Sequence, residues 1–244
     1  MKIGIAGYGF VGMAHEIIFK EHDLIISDPF LREFGNLRHA ECIIICVSTP
    51  SDDYGRCDMS NVIDVIAEAP NVPILIKSTI SPEGWKLIND TFPNKDITFS
   101  PEFLRANHWR KDATTKKDFY FGGNNVNFWS DLFLQALGRI NITPAEPEEL
   151  ILMKQLRNSY LATKVTFFNQ VYDYCEDQNV DFDRVRKLIT EDDRIGKSHS
   201  FVTEERGFGG HCLPKDTLAT LKSSKQSLTL LKQALDYNKL IRKS

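Results

Sequence analysis

The sequence has no long apolar run. Its longest purely aliphatic-plus-cysteine stretch is Cys42 to Val47, far below the ~18 residues a spanning helix needs, so no transmembrane segment and no membrane partner are expected. It also has no excess of charge of one sign. Thirty basic and 33 acidic side chains leave a net charge of −3 and a pI near 6.1, which gives nucleic acid no electrostatic footprint and points to a small-molecule partner. Paired cysteines are missing as well. The five present (Cys42, Cys46, Cys57, Cys175, Cys212) are odd in number, with no CxxC and no histidines at zinc-ligand spacing. Reduced thiols in a cytoplasmic protein without a metal site are therefore expected. Met1-Lys2 and the apolar residues after it imitate a signal peptide, but glycines crowd that stretch and His15-Glu16 follow without a small-residue cleavage site.

What is present is enough to fold. Sixteen Phe, 7 Tyr and 3 Trp in 244 residues can build a substantial core, which excludes a disordered chain. Lys2 to Ala6 reads as a strand, Gly7 to Gly12 as a turn, Val11 to Phe19 as a helix and Leu24 to Ser27 as a second strand. The alternation recurs with strands at Cys42–Val47, Ile74–Lys77 and Ile97–Phe99 and a helix at Asn61–Glu68. It predicts an α/β fold, a Rossmann-like doubly wound and mostly parallel sheet. Beyond Pro144 and Pro147, apolar residues at helical spacing from Glu148 to Glu176 predict a long helix. Phe182–Leu188 and Leu228–Ile241 extend a smaller all-helical region. The expected division is thus 1–145 for the sheet domain and 146–244 for the helical one.

Gly7-Tyr8-Gly9-Phe10-Val11-Gly12 is a GxGxxG directly after the first strand and at the start of the first helix, and Asp28 closes the second strand. In that context Gly7, Gly9 and Gly12 let backbone approach a pyrophosphate, which sits on the helix N-terminus. Phe10 and Val11 complete the turn. Asp28 accepts from a ribose 2′-hydroxyl and repels a 2′-phosphate, so NAD is expected rather than NADP, with Arg32 pulling the other way. The competing reading is a glycine turn in a βαβ unit that binds nothing. Cys212 lies beside Gly207, Gly209, Gly210, Lys215 and Asp216, a setting of open backbone and nearby charge that suits a thiolate nucleophile. Cys42, Cys46 and Cys175 read as small buried hydrophobes, and Cys57 sits in a polar loop with no evident role. His211 adjoins the thiol, but neighbouring residues of an extended loop point apart.

These segments resemble the UDP-glucose/GDP-mannose dehydrogenase family, NAD-dependent enzymes that oxidise the primary alcohol of a nucleotide sugar to a carboxylate in two hydride transfers. The resemblance runs through the glycine loop, Ile44-Ile45-Cys46-Val47-Ser48-Thr49-Pro50, Lys77-Ser78-Thr79-Ile80, Ser100-Pro101-Glu102-Phe103-Leu104-Arg105, Lys154 with Asn158, Asp193-Arg194-Ile195-Gly196, and Gly207 to Asp216. It implies that Cys212 traps the aldehyde as a thiohemiacetal, which a second NAD oxidises to a thioester. It implies that Lys154 and Asn158, one helical turn apart, line the sugar site, and that Asp216 serves proton transfer with a water. Glu102 and Thr79 match substrate and water positions. Thr49, Thr79 and Lys215 match cofactor-contacting positions, while Phe201 to Glu205 and Gly209 match a loop that wraps the substrate. Arg194 matches an arginine presented to a neighbouring subunit, which implies a homodimer. Read without the motifs, Lys154, Arg194 and Glu102 are equally well solvated surface charges.

Three departures stand out. Ala106 replaces the second glutamate of the family's PEFLRE, the segment from Asp28 to Cys42 is short, and the sequence stops at Ser244. The last implies that the family's C-terminal nucleotide-binding domain is absent, leaving the nucleotide side of the substrate site open and little selection among bases. Two other readings follow: a non-catalytic remnant that binds NAD or a partner, and a single-step dehydrogenase of the β-hydroxyacid type, which needs no cysteine. Retention of Cys212, Lys154, Asn158 and Asp216 together speaks against the remnant.

Overall fold

The computed structural model describes residues 1–31, 35–50, 57–105, 107–210 and 212–242. Arg32, Ala106 and His211 lie outside the described residues. Two compact units are present, one reaching to Lys154 and the other starting at Gln155.

The first unit alternates strands and helices: β1 (Lys2–Ala6), α1 (Phe10–Ile18), β2 (Asp23–Ser27), β3 (Cys42–Ile45), α2 (Ser60–Glu68), β4 (Ile74–Ile76), α3 (Pro82–Thr91), β5 (Ile97–Phe99), α4 (Trp109–Thr115), β6 (Asp118–Gly123), α5 (Val126–Leu137) and β7 (Asn141–Pro144). The strands form one sheet in the order β2-β1-β3-β4-β5-β6-β7. Every pairing is parallel except β5 with β6. Strands β3, β4 and β5 are buried throughout, which is why they read as unbroken Ile-rich runs and not as alternating ones. One face of the sheet carries an aromatic core in which the Phe133 ring meets Phe19, Phe119 and Phe121 at centroid distances of 5.0, 5.1 and 5.3 Å. The chain leaves β1 toward β2 on one side and returns to β3 on the other. The crevice between the carboxyl ends of β1 and β3 is thus the topological switch point, where such sheets take their ligands.

The second unit is helical: the greater part of α6 (Pro147–Asp177), then α7 (Phe182–Thr190), α8 (Cys212–Ser223) and α9 (Thr229–Ile241). Asp181 caps α7, accepting from the N–H groups of Asp183 and Arg184 at 2.9 and 3.3 Å. Ala162, Val165, Phe208 and Leu235 form one core cluster of this unit, and Phe168, Cys175 and Phe182 another.

The doubly wound sheet followed by helices is the expected fold. The sequence reading missed α3, although Ser81-Pro82 carries a cap and a first-turn proline and Ser81 Oγ does accept from Gly84 N at 3.0 Å. It placed Cys212 in an extended loop, whereas Cys212 opens α8, so the argument that neighbouring loop residues point apart does not apply there. Cys57 is buried, although the sequence before it is polar, and Cys46 is only half-buried.

Candidate active site

Each unit carries a group of the anticipated residues. In the first, β1 ends at Ala6 and the chain turns through Gly7 at φ +87°, where a Cβ would lie 2.7 Å from Val47 N. A Cβ on Gly12 would overlap Gly7 O, while one on Gly9 would meet nothing within 4 Å. The first and third glycines are therefore demanded by packing. The second faces open space at the N-terminus of α1, and Phe10 and Val11 begin the helix. Asp28, just past β2, accepts from Tyr8 N at 2.6 Å and Phe30 N at 2.9 Å. Its carboxylate is thereby fixed beside the glycine turn with lone pairs to spare. These features fit a dinucleotide: an open backbone turn for the pyrophosphate, unpaired N–H groups at a helix start, and an oriented acceptor for a ribose hydroxyl. Thr49 Oγ1 donates to Thr79 O at 2.7 Å, joining the loops that follow β3 and β4.

Glu102 sits after β5 in a buried cluster. Its Oε2 lies 3.2 Å from Lys77 Nζ, and its Oε1 lies 3.3 Å from Lys116 Nζ while accepting from Phe103 N and Leu104 N at 2.7 and 3.0 Å. Burial alone would push this carboxyl up, but Lys77, Lys116 and His15, with the Phe103 N–H, hold it well below the usual carboxylate range. Burial also lowers Lys77 to about 8, offset in part by Glu102. Lys154 Nζ donates to the Glu102 carbonyl at 2.6 Å and lies 5.4 Å from the centre of the Phe103 ring. Glu102 and Lys154 are buried residues, not solvated surface charges. The carboxylate is committed on both oxygens, which suits electrostatic orientation better than proton transfer.

In the second unit, Cys212 is exposed at the start of α8. One turn on, Asp216 is 1% exposed. Its Oδ2 accepts from Asn158 Nδ2 at 2.6 Å, and its Oδ1 lies 3.6 Å from Lys215 Nζ and accepts no hydrogen bond among the described residues. An oriented carboxylate with one oxygen uncommitted is equipped to hold a water or accept a proton. Arg194 and Phe201 take different partners. Arg194 is 88% exposed and chelates Asp192, and Phe201 stacks under Arg186 at 4.0 Å. Lys164 anchors the Arg194 loop by donating to the carbonyls of Ile195 and Gly196 at 2.5 and 2.9 Å.

Sequence reasoning quoted Lys77 in a motif without giving it a role, and passed over Lys116, Asn169, Asp173 and Asn238. Only Lys77 carried a local signal, a lysine at the end of an all-apolar strand, where an unpaired charge is not tolerated.

The doubly wound sheet with its glycine turn defines a protein of the dinucleotide-binding class, here with a helical unit that presents an exposed cysteine. The pattern of the NAD binding domain of the UDP-glucose/GDP-mannose dehydrogenase family matches residues 31–131, and that of the family's central domain matches residues 148–240. The UDP-glucose 6-dehydrogenase of Rickettsia typhi is 30% identical over a gapped alignment of 296 positions, covering 98% of this chain and 67% of that protein. That of Campylobacter jejuni is 29% identical over 262, covering 89% and 66%. The chain belongs to the UDP-glucose/GDP-mannose dehydrogenase family. Its first matched curated relatives are longer, and it spans 44% to 66% of their lengths. The structure of a UDP-glucose dehydrogenase from Pyrobaculum islandicum superposes with a TM-score of 0.84 over 98% of this chain and 68% of that one, at 22% identity, a likeness of fold.

Proposed function

We propose that this chain oxidises the primary alcohol of a nucleotide-linked sugar to a carboxylate in two NAD-dependent steps, with Cys212 as the covalent nucleophile. The observation that carries this reading is the exposed thiol at the head of α8 with the Asn158-oriented Asp216 one turn below it. Bound NAD supplies the hydride acceptor. Gly7, Gly9, Gly12 and the start of α1 would hold its pyrophosphate, Asp28 its adenosine ribose, and Thr49, Thr79 and Lys215 would make further contacts to it.

In the first oxidation the alcohol gives its proton to a water held by Asp216 and loses a hydride to the bound acceptor, becoming an aldehyde. Lys154 offers an ammonium to the developing oxyanion, a preorganised charge that lowers the barrier. The Cys212 thiol adds to the aldehyde carbon and gives a thiohemiacetal. A second hydride loss leaves a thioester. Water, oriented by the uncommitted oxygen of Asp216, attacks that carbonyl and releases the acid and the free thiol. Glu102 keeps Lys154 in place through its carbonyl. Phe201 and Gly209 border the substrate loop.

Arg194 reaches the site of a second copy in this reading, consistent with its exposure and with the Lys164 hydrogen bonds to its loop. The exposed Tyr160, Phe167 and Tyr174, seven residues apart on α6, form a seam suited to a homodimer. No described helix is long and apolar enough to cross a membrane, and a cytoplasmic location fits the free cysteines. The experiment is a panel of nucleotide sugars and free sugars assayed for NADH. Two NADH per acid formed supports the reading. NAD binding without turnover on any member would favour the non-catalytic alternative, and one NADH per product a single-step dehydrogenase.

A further inference from the structure

The loop ahead of Cys212 is held in an uncommon backbone path. Arg206 and Gly207 are both left-handed, at φ 58° and 57°, a conformation that costs a non-glycine residue about 1 kcal/mol or more and persists only where the surroundings enforce it. The enforcement comes from two helices. On the α6 side, Asn169 Oδ1 accepts from Arg206 Nε at 2.9 Å and from Gly207 N at 3.0 Å. Asp173 pairs with Arg206 Nη2 at 2.5 Å while accepting from Tyr237 OH at 2.6 Å. On the α9 side, Asn238 brackets Phe208, accepting from its N–H at 2.6 Å and donating to its carbonyl at 2.9 Å. Arg242, one turn further on, donates to Arg206 O at 3.0 Å.

The glycines of this loop match those side chains. A Cβ on Gly207 would overlap Asn238 Oδ1, and one on Gly209 would overlap the Arg242 guanidinium, whereas Gly210 has nothing within 4 Å. Gly207 is explained by its left-handed φ and by the seating of the buried Asn238, while at Gly209 the far end of the flexible Arg242 side chain lies over the backbone. Cys212 follows two residues after Gly210 in the sequence.

We propose that Asn238 and Arg242 are positioning residues for Cys212, seated on Gly207 and Gly209 so that the loop delivers the thiol in one arrangement. The proposal rests on the reading of Cys212 as the nucleophile. Asn238 is buried, and its removal strands two backbone groups, so the informative variants are at exposed Arg242 and at Gly209.

The test is the rate of Cys212 alkylation by iodoacetamide in the full chain, measured for Arg242→Ala, Gly209→Ala, the double variant and the conservative Arg242→Lys. Each single alanine should shift the rate by about threefold or more, and the double should shift it no further, because both remove the same contact. Arg242→Lys, which keeps a donor for Arg206 O, should lie nearer wild type. With a working substrate, Arg242→Ala should lower kcat and leave KM nearly unchanged. Independent, multiplicative effects of the two alanines, or wild-type alkylation by Arg242→Ala, would overturn the proposal. Absence of NADH with the thiol coupling intact would instead overturn the dehydrogenase reading and leave the positioning geometry supported.

Discussion

Lys77 and Glu102 form an ion pair from which solvent is almost wholly excluded, with Nζ and Oε2 3.2 Å apart and side-chain exposures of 0% and 9%. Removing one partner leaves the other as an uncompensated buried charge, which is costlier than removing both. Glu102→Gln should therefore destabilise the protein by about 3–5 kcal/mol in urea unfolding at pH 7, and adding Lys77→Met should restore much of that. A loss below about 1 kcal/mol for the single change would mean that water reaches the pair. Glu102, held below the ordinary value of 4.5, contributes stability that is present above that pH and lost as the pH falls toward its lower native value.

His15 gives a second acid-sensitive element at a higher pH. Burial first, then the nearby Lys77, lowers its pKa from 6.5 to about 4, against an opposing pull from Glu102. Nδ1 lies 2.8 Å from Val11 O and 3.9 Å from Cys46 Sγ, and Lys116 adds a further repulsive charge. The folded state refuses a proton that the unfolded chain accepts, so stability falls as the pH drops below 6.5. Wild type should lose on the order of 2 kcal/mol between pH 7 and 5 that His15→Gln does not lose. Equal pH slopes in urea titrations of the two proteins would contradict this.

Asp28 ties the glycine turn to the end of β2 through Tyr8 N, so its side chain both shapes the cofactor turn and selects the cofactor. Asp28→Ala should weaken NAD binding by about tenfold or more and narrow the gap to NADP, as removal of a charge-assisted acceptor predicts. Calorimetric titration with both dinucleotides decides it. NADP binding as tightly as NAD to the unaltered protein would contradict the role given to Asp28.

How much of this was legible in the sequence depends on the range of the interaction. The β1–α1–β2 turn could be read because Gly7, Gly9, Gly12 and Asp28 act within one local unit, and the buried strands because Ile43 to Ile45 leaves no polar face. The α8 start was hidden because Pro214 and the glycines before it suggest a loop, although proline suits a first helical turn. The clamp on the Cys212 loop was invisible for another reason. Asn169, Asp173, Asn238 and Arg242 look like ordinary polar positions on two helices, and only the fold brings them to Gly207 and Gly209. Lys116 drew no notice because its partner Glu102 is reached through the β5–β6 connection and not along a helix.

Arg194 is bound only to Asp192 within its own chain among the described residues, and its guanidinium is open to solvent. In the proposed homodimer, inactive Arg194→Ala and inactive Cys212→Ala chains, co-assembled, should regain part of the wild-type activity. About one quarter is the ceiling if each mixed dimer rebuilds one complete site and mixing is random. No recovery in a verified mixed dimer would place Arg194 in the service of its own subunit.

The central claim, a two-step oxidation through a thiol adduct, is tested most directly by the NADH yield and products of Cys212→Ser on a nucleotide sugar that the unaltered protein oxidises. The account predicts that wild type forms two NADH per acid, while the serine variant stalls after the first oxidation, with aldehyde or a trapped ester accumulating. Release of the acid by the serine variant at the wild-type rate would contradict it and leave Cys212 a structural residue.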